Sequence, residues 1–467
     1  MSTPEADERP SIGVGADEPT PTADPDGGRV ADFEPPSIAA GGLSALLFRI
    51  VELCSLILLV VVTGRLMEPA GRGLYALASL MTALLVLPLG AVWVSNVVEM
   101  TQRRATLREL FGGSLVIATV GGLATGAVAL AVAPLLGDRW WVVAIPAVAT
   151  PFLLLQKYEE GLYQGLGHVQ AVNLIRVANA VLPLVFIAPA LLAGASSRTA
   201  IAIWILSFIA LPLLILAPLR SLVGGPKLPR DRGLYRRVVT YGIKISGLNA
   251  MDTVNSRVGL LALAAFATDA AVGVYSIALA AELVLVMAPQ ALALSAFRRI
   301  GVTPPEPSAS LTVRAMRHSI LLTSAGALIL LPIVFVGVPW AVGAGYEDVP
   351  LLFLLLIPHA LCWAALTSLY TFFQVQAKQP GVLLKVSGCT LVANVALTLA
   401  LAPAWDTWGV AVAASLAGVV GAAVAFHAFH AESGTRLREV SPGRAEVADY
   451  VALLASRTAR WRRSDVD

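Results

Sequence analysis

An all-α integral membrane protein of about twelve transmembrane helices is predicted by three features of this sequence. Hydrophobic residues make up 57% of its 467 residues and charged residues only 13%, against about a quarter in soluble domains. Apolar runs such as 53–62, 123–136 and 320–338 recur between short polar breaks. With their flanks they approach the roughly 20 residues that cross the hydrocarbon. Lys and Arg collect in alternate breaks, the asymmetry that sets membrane topology.

In order, the spans read as 43–64, 74–98, 110–136, 140–164, 170–193, 199–220, 238–265, 271–297, 318–341, 349–374, 382–403 and 407–430. With a cytoplasmic N-terminus, the outer loops keep only Arg65, Arg72, Arg139 and Arg198, and the basic residues divide about 23 inside to 4 outside. Both termini are therefore expected on the cytoplasmic side of a bacterial inner membrane. The net charge of +3 gives no support to nucleic-acid binding.

Residues 1–40 read as an acidic, disordered cytoplasmic tail, because 1–37 is rich in Pro, Asp and Glu and lacks a signal peptide's apolar region. Six spans in 41–221 and six in 238–431 flank a linker, 222–237, that contains Gly224, Gly225, Pro226 and Pro229. The final segment, 432–467, is basic. Its Val447, Tyr450, Val451, Leu454 and Trp461 fall at helical spacing beside Arg457, Arg460, Arg462 and Arg463, which fits either a surface-lying amphipathic helix or a loose basic tail. Cys54, Cys362 and Cys389 lie in apolar runs and read as packing residues, with neither a disulfide framework nor a metal-ligand spacing.

The two halves repeat at an offset of about 200 residues. Gly73-Leu-Tyr75-Ala-Leu-Ala78 aligns with Gly273-Val-Tyr275-Ser-Ile-Ala278, and Glu52 aligns with Asp252. Two six-helix repeats with both termini on one side are parallel repeats, related by an axis along the membrane normal, as in alternating-access transporters.

The stretch from Thr63 to Ala76, with Gly64, Arg65, Pro69, Gly71, Gly73 and Tyr75, resembles the first outer loop and second helix of polysaccharide-unit flippases. These belong to the multidrug, oligosaccharidyl-lipid and polysaccharide exporter superfamily. Gln374-Val-Gln-Ala-Lys378-Gln-Pro-Gly381, Asn394 and Trp408-Gly-Val-Ala411 are similar to the tenth to twelfth helices of the same proteins, so the resemblance spans about residues 40–430. It implies a V-shaped pair of six-helix bundles around a central cavity that opens alternately to each side. The implied cargo is a polyprenyl-diphosphate-linked oligosaccharide or related polysaccharide precursor. Membrane lipids, a glycan polymerase and glycosyltransferases of the same pathway are the implied partners. The acidic segment at the start of the chain departs from the family pattern.

Ionisable groups within the bilayer cost roughly 2.5 to 3.5 kcal/mol each on insertion scales, so they are usually aimed at a cavity or a partner. A diphosphate calls for cations, Arg as a fork and Lys as a point charge. Arg49, Lys244 and Arg257 are the first candidates for substrate binding, with Arg176 and Lys385 second. Arg49 and Glu52 share a helix face and read either as a buried ion pair or as part of the site. The seventh span is unusually polar, with Ser246, Asn249, Thr253, Asn255 and Ser256, and should line water or ligand. Glu52, Asp252 and Glu282 are candidates for coupling to protons or a monovalent cation, or else balance neighbouring cations. His359, His427 and His430 read as packing or interfacial residues. No cofactor, metal or catalytic residue is expected. The outer loops are short and carry no nucleotide-binding glycine loop or matched nucleophile and base, which argues against a membrane enzyme of glycan assembly. A cation-coupled multidrug exporter is the alternative transport function.

Overall fold

The computed structural model describes residues 38–101, 105–229, 231–302, 304–444 and 446–448. The acidic segment 1–37, the side chain of Arg49 and the tail beyond 448 lie outside the described residues. The helices are α1 (Ile38–Val86), α2 (Val92–Thr101), α3 (Leu107–Val132), α4 (Trp141–Gly165), α5 (Val169–Leu192) and α6 (Ser197–Val223), then α7 (Arg232–Asn255), α8 (Val258–Phe266), α9 (Asp269–Val302), α10 (Pro305–Val342), α11 (Val349–Thr371) and α12 (Pro380–Ser433). There is no strand among the described residues.

Nine stretches of described helix are long and apolar enough to cross a membrane. Two of them hold a second crossing: α1 turns at Glu68, with φ 59°, and α12 turns at Asp406, with φ 51°. Each is a left-handed residue without the freedom of glycine, held by packing on both sides of the turn. Behind Asp406, a Cβ on Gly409 would come within 2.3 Å of the Leu401 carbonyl oxygen, so only glycine lets the two limbs of α12 close. The polar α7 with α8 supplies the remaining crossing, and the total is twelve.

The second limb of α1 breaks at Pro88 and resumes as α2. A proline has no N–H to give and clashes with the preceding turn. The Tyr158 hydroxyl of α4 donates at 2.9 Å to the Leu89 carbonyl, which also accepts from the Val92 amide at 3.1 Å, and so ties the break to α4.

The start of the first crossing, the end of the twelfth and the even-numbered linkers share one face, here the tail face; the Glu68 and Asp406 turns mark the opposite, distal face. On the distal side one hydrophobic core runs through both bundles, joining Leu59, Tyr75 and Trp204 to Tyr275, Tyr346 and Phe353. On the tail side there are two separate cores. One gathers Phe111, Leu154, Tyr158 and Leu219, and the other gathers Ile300, Met316, Phe373 and Phe429. The bundles are thus fused at the distal face, while at the tail face their cores are separate and α7 bridges them.

At the fused face the repeat motif explains itself. Gly73 and Gly273 cross each other, and a Cβ on Gly73 would stand 1.8 Å from the Asp269 carbonyl oxygen. One on Gly273 would stand 2.0 Å from the Pro69 carbonyl oxygen. Arg139 reinforces the closure, paired with Asp269 at 3.1 Å and donating to the Ala264 carbonyl at 3.0 Å. Tyr346 adds a bond to the Gly64 carbonyl at 3.1 Å.

Cys54 and Cys389 are exposed and only Cys362 is half-buried, so the packing role expected for the first two is corrected. Their apolar surroundings in sequence reflect lipid as much as core.

Beyond α12 the chain folds back on α10. Arg317 donates to the Glu439 carbonyl at 2.6 Å and pairs with Glu446 at 3.1 Å, while the Gly443 amide donates to Glu446 at 2.8 Å. That amide, then the residue's own amide, and then Arg317 hold the Glu446 carboxyl below its ordinary range. A depressed carboxylate adds stability that is complete above its unfolded pKa and is lost as pH falls through the lower folded value. Protection of the amides of 436–448, measured against their intrinsic exchange rates at each pH, should hold down to about pH 5 and be lost toward about pH 3. Equal protection at both would show that Glu446 does not hold the segment.

Candidate functional site

The sequence makes α7 the most polar of the crossings, and the structure gives it a bridging position. Asp231 caps it by accepting from the Gly233 amide at 2.7 Å. Its first turns join the core of the N-terminal bundle through Leu234 and Val238. Along the same stretch, Arg237 pairs with Glu99 of α2 at 3.5 Å, and Ser246 accepts from the Ala91 amide at 3.2 Å. Further along, its partners change to the first limb of α12. Ser387 donates to Asp252 at 2.9 Å, and the Tyr370 hydroxyl lies 3.1 Å from Ser387. Asn394 donates to both the backbone and the side-chain oxygens of Asn255, at 2.9 and 3.0 Å, and Thr398 donates to Asn394 at 3.2 Å.

The helix then stops inside the membrane. Ser256 turns its hydroxyl back to the Thr253 carbonyl at 2.9 Å, Arg257 leaves helical geometry, and α8 starts afresh at Val258. No proline or glycine causes this break. Thr, Asn and Ser side chains that compete for the backbone do so instead, and that run is the signal in the sequence for it. Gly259, just after the break, lies against Val410 and Tyr275, which ties the break to both α12 and α9.

Four of the expected site residues come together on this α7–α12 seam. Asp252 and Arg257 are half-buried, and Lys244 and Lys385 are exposed. Lys244 is on the same helix as Asp252, about two turns earlier, and Lys385 is on the α12 limb that carries Ser387. The other expected residues are elsewhere. Arg176 is engaged by Glu160 at 3.1 Å between α5 and α4, which makes it a structural ion pair rather than a free cation. Glu52 is half-buried on α1, and with the Arg49 side chain outside the described residues, their pairing is not part of the described geometry.

Glu282 sits on α9, 4% exposed, and its carboxylate meets Nδ1 of His359 on α11. The packing role expected for His359 is corrected by this pairing. Its sequence neighbours carry no acid, and the partner is 77 residues away. His430 does end its helix, with Nδ1 at 2.8 Å from the Thr435 carbonyl oxygen. One further group is not singled out by its place in the sequence. Glu159 on α4 is wholly buried, and neither carboxyl oxygen has a hydrogen-bond partner among the described residues.

No family model matches the sequence, and none of the curated proteins does. Solved structures do match in shape. The lipid II flippase MurJ in an inward closed conformation superposes with a TM-score of 0.68 at 10% identity, covering 84% of this chain and 87% of the flippase. An inward-facing multidrug resistance MATE family transporter of the MOP superfamily gives 0.58 at 13% identity, over 83% of this chain and 95% of that one. The MATE multidrug transporter DinF-BH gives 0.57 at 12% identity, over 84% and 95%. The chain is therefore a multi-pass membrane protein that shares the helical fold of these transporters. Within that class it shares its fold with both a lipid flippase and multidrug exporters.

Proposed function

We propose that the protein is a transporter that moves a polyprenyl-diphosphate-linked oligosaccharide, or a related cell-surface precursor, across the membrane by alternating access. One observation carries the mechanism: a single core fuses the bundles at the distal face, while the tail-side cores are separate and bridged by α7. With the tail face cytoplasmic, as the basic residues favour, the bundles are closed to the outside and would part on the inner side, about α7. Lys244 and Arg257 on the bridging helix α7, with Lys385 on the α12 limb that packs against it, are the cations proposed to meet the substrate. Three cations on one polar seam suit a diphosphate better than an organic cation.

The cation-coupled multidrug exporter keeps support from a different feature, the two carboxylates Asp252 and Glu282 inside the C-terminal bundle. Either carboxylate can serve the coupling to protons or a monovalent cation that the sequence suggests. The deciding experiment follows a fluorescent lipid-linked oligosaccharide between leaflets of reconstituted vesicles, with a cationic dye as the second cargo. Flipping of the lipid is expected, and Arg257→Ala with Lys244→Ala should slow it about a hundredfold, as expected when two charge-assisted phosphate contacts are lost. Dye export that survives those changes, with no lipid movement at all, would establish the multidrug function instead.

A further inference from the structure

The segment that folds back beyond α12 has two unlike faces. Its inner face is occupied: Val440 packs with Ile300, Met316 and Phe372, and Thr435 and Glu446 are buried. Its exposed residues include Arg436, Leu437, Arg438, Arg444 and Val447, with Leu437 at 70%, and one acid, Glu439, whose carbonyl is held by Arg317. No carboxylate of the described residues forms an ion pair with any of these three arginines.

The position of the segment accounts for that composition. Arg317 and the core around Val440 pin it to the tail-face ends of α10 and α12, which are membrane-spanning helices. That level is where phospholipid headgroups stand. An arginine fork matches phosphate oxygens, and apolar side chains flanked by basic ones insert at the headgroup and acyl boundary.

We propose that the outer face of residues 434–448 is a binding site for anionic phospholipid headgroups. Arg436, Arg438 and Arg444 engage the phosphates, and Leu437 with Val447 enters the acyl boundary. The sequence continues with Arg457, Arg460, Arg462 and Arg463, which extends the same charge complementarity. A free phosphate would satisfy the arginines and leave Leu437 in water, so Leu437 separates the two sources of the same chemistry. The proposal is independent of what the protein transports.

The full-length protein is placed in nanodiscs of phosphatidylcholine with or without phosphatidylglycerol, and amide exchange is followed over 434–448. Exchange should be several-fold slower in the anionic discs. Replacing Arg436, Arg438 and Arg444 by Gln should abolish the difference, at about fivefold per arginine in lipid affinity. Replacing them by Lys should preserve most of it, which guards against a variant that merely loses its fold. Leu437→Ser should weaken the lipid effect. Equal protection in the two lipid compositions would overturn the proposal, and so would full protection in neutral discs on adding inorganic phosphate.

Discussion

Leucine in place of Gly73 or Gly273 is expected to prevent the two bundles from closing at the distal face. The overlap begins at Cβ, with backbone carbonyl oxygens at 1.8 and 2.0 Å, so no side-chain rotation relieves it. Overpacking of this kind costs about 3 kcal/mol at the upper end of its usual range. Applied to the closed arrangement alone, that shifts its population by roughly 150-fold. Spin labels on Asp138 and Glu347, after the three native cysteines are removed, should report a longer distance in Gly73→Leu than in the parent, and transport should stop. Gly247 provides the control, because a Cβ there meets nothing within 4 Å. Should the label distances of Gly73→Leu match those of the parent, the glycine crossing is not what closes this face.

These two glycines also show what a sequence of this kind discloses. The Gly-x-Tyr repeat is visible as a repeat because two copies of one ancestral pattern occupy equivalent places. That the two copies touch each other follows from the symmetry axis, and nothing local states where the axis lies. The crossings were legible because lipid demands long apolar runs whatever the packing. Their internal breaks were less so. Pro88 announces one break, whereas the break at Ser256 and Arg257 arises from hydroxyl and amide side chains that also suit a water-lined helix.

Of the site residues, Lys244, Asp252 and Arg257 share one helix and could be read together from spacing. Lys385 joins them only because α12 packs along α7. Arg176 was separated from the site by Glu160, 16 residues earlier on a different helix. Glu282 needed His359 to complete it, and the rotational phase of two helices decided that contact. Pairings across helices are the part of such a site that periodicity leaves undetermined.

Two buried carboxylates of the same residue type are expected to respond to substitution with opposite signs. Glu282 has a partner, and removing that partner by His359→Leu leaves an uncompensated buried group, which should cost about 3–5 kcal/mol. Glu282→Gln with histidine retained should cost much less, since an amide still bonds to the ring. The double variant Glu282→Leu with His359→Leu should recover most of the loss, because replacing both partners of a buried pair by apolar groups is often neutral. Glu159 has no such partner to lose. Both its oxygens are buried and unbonded, so Glu159→Met, close in length and apolar, should stabilise the fold by about 1–3 kcal/mol. Unfolding of the purified variants in one detergent measures all four values on a common scale. A destabilised Glu159→Met would reveal a partner formed in another state of the cycle. If that variant is instead stabilised and yet inactive in vesicles, the carboxyl is kept for transport at the expense of stability. Glu159 would then join Asp252 and Glu282 as a candidate for coupling.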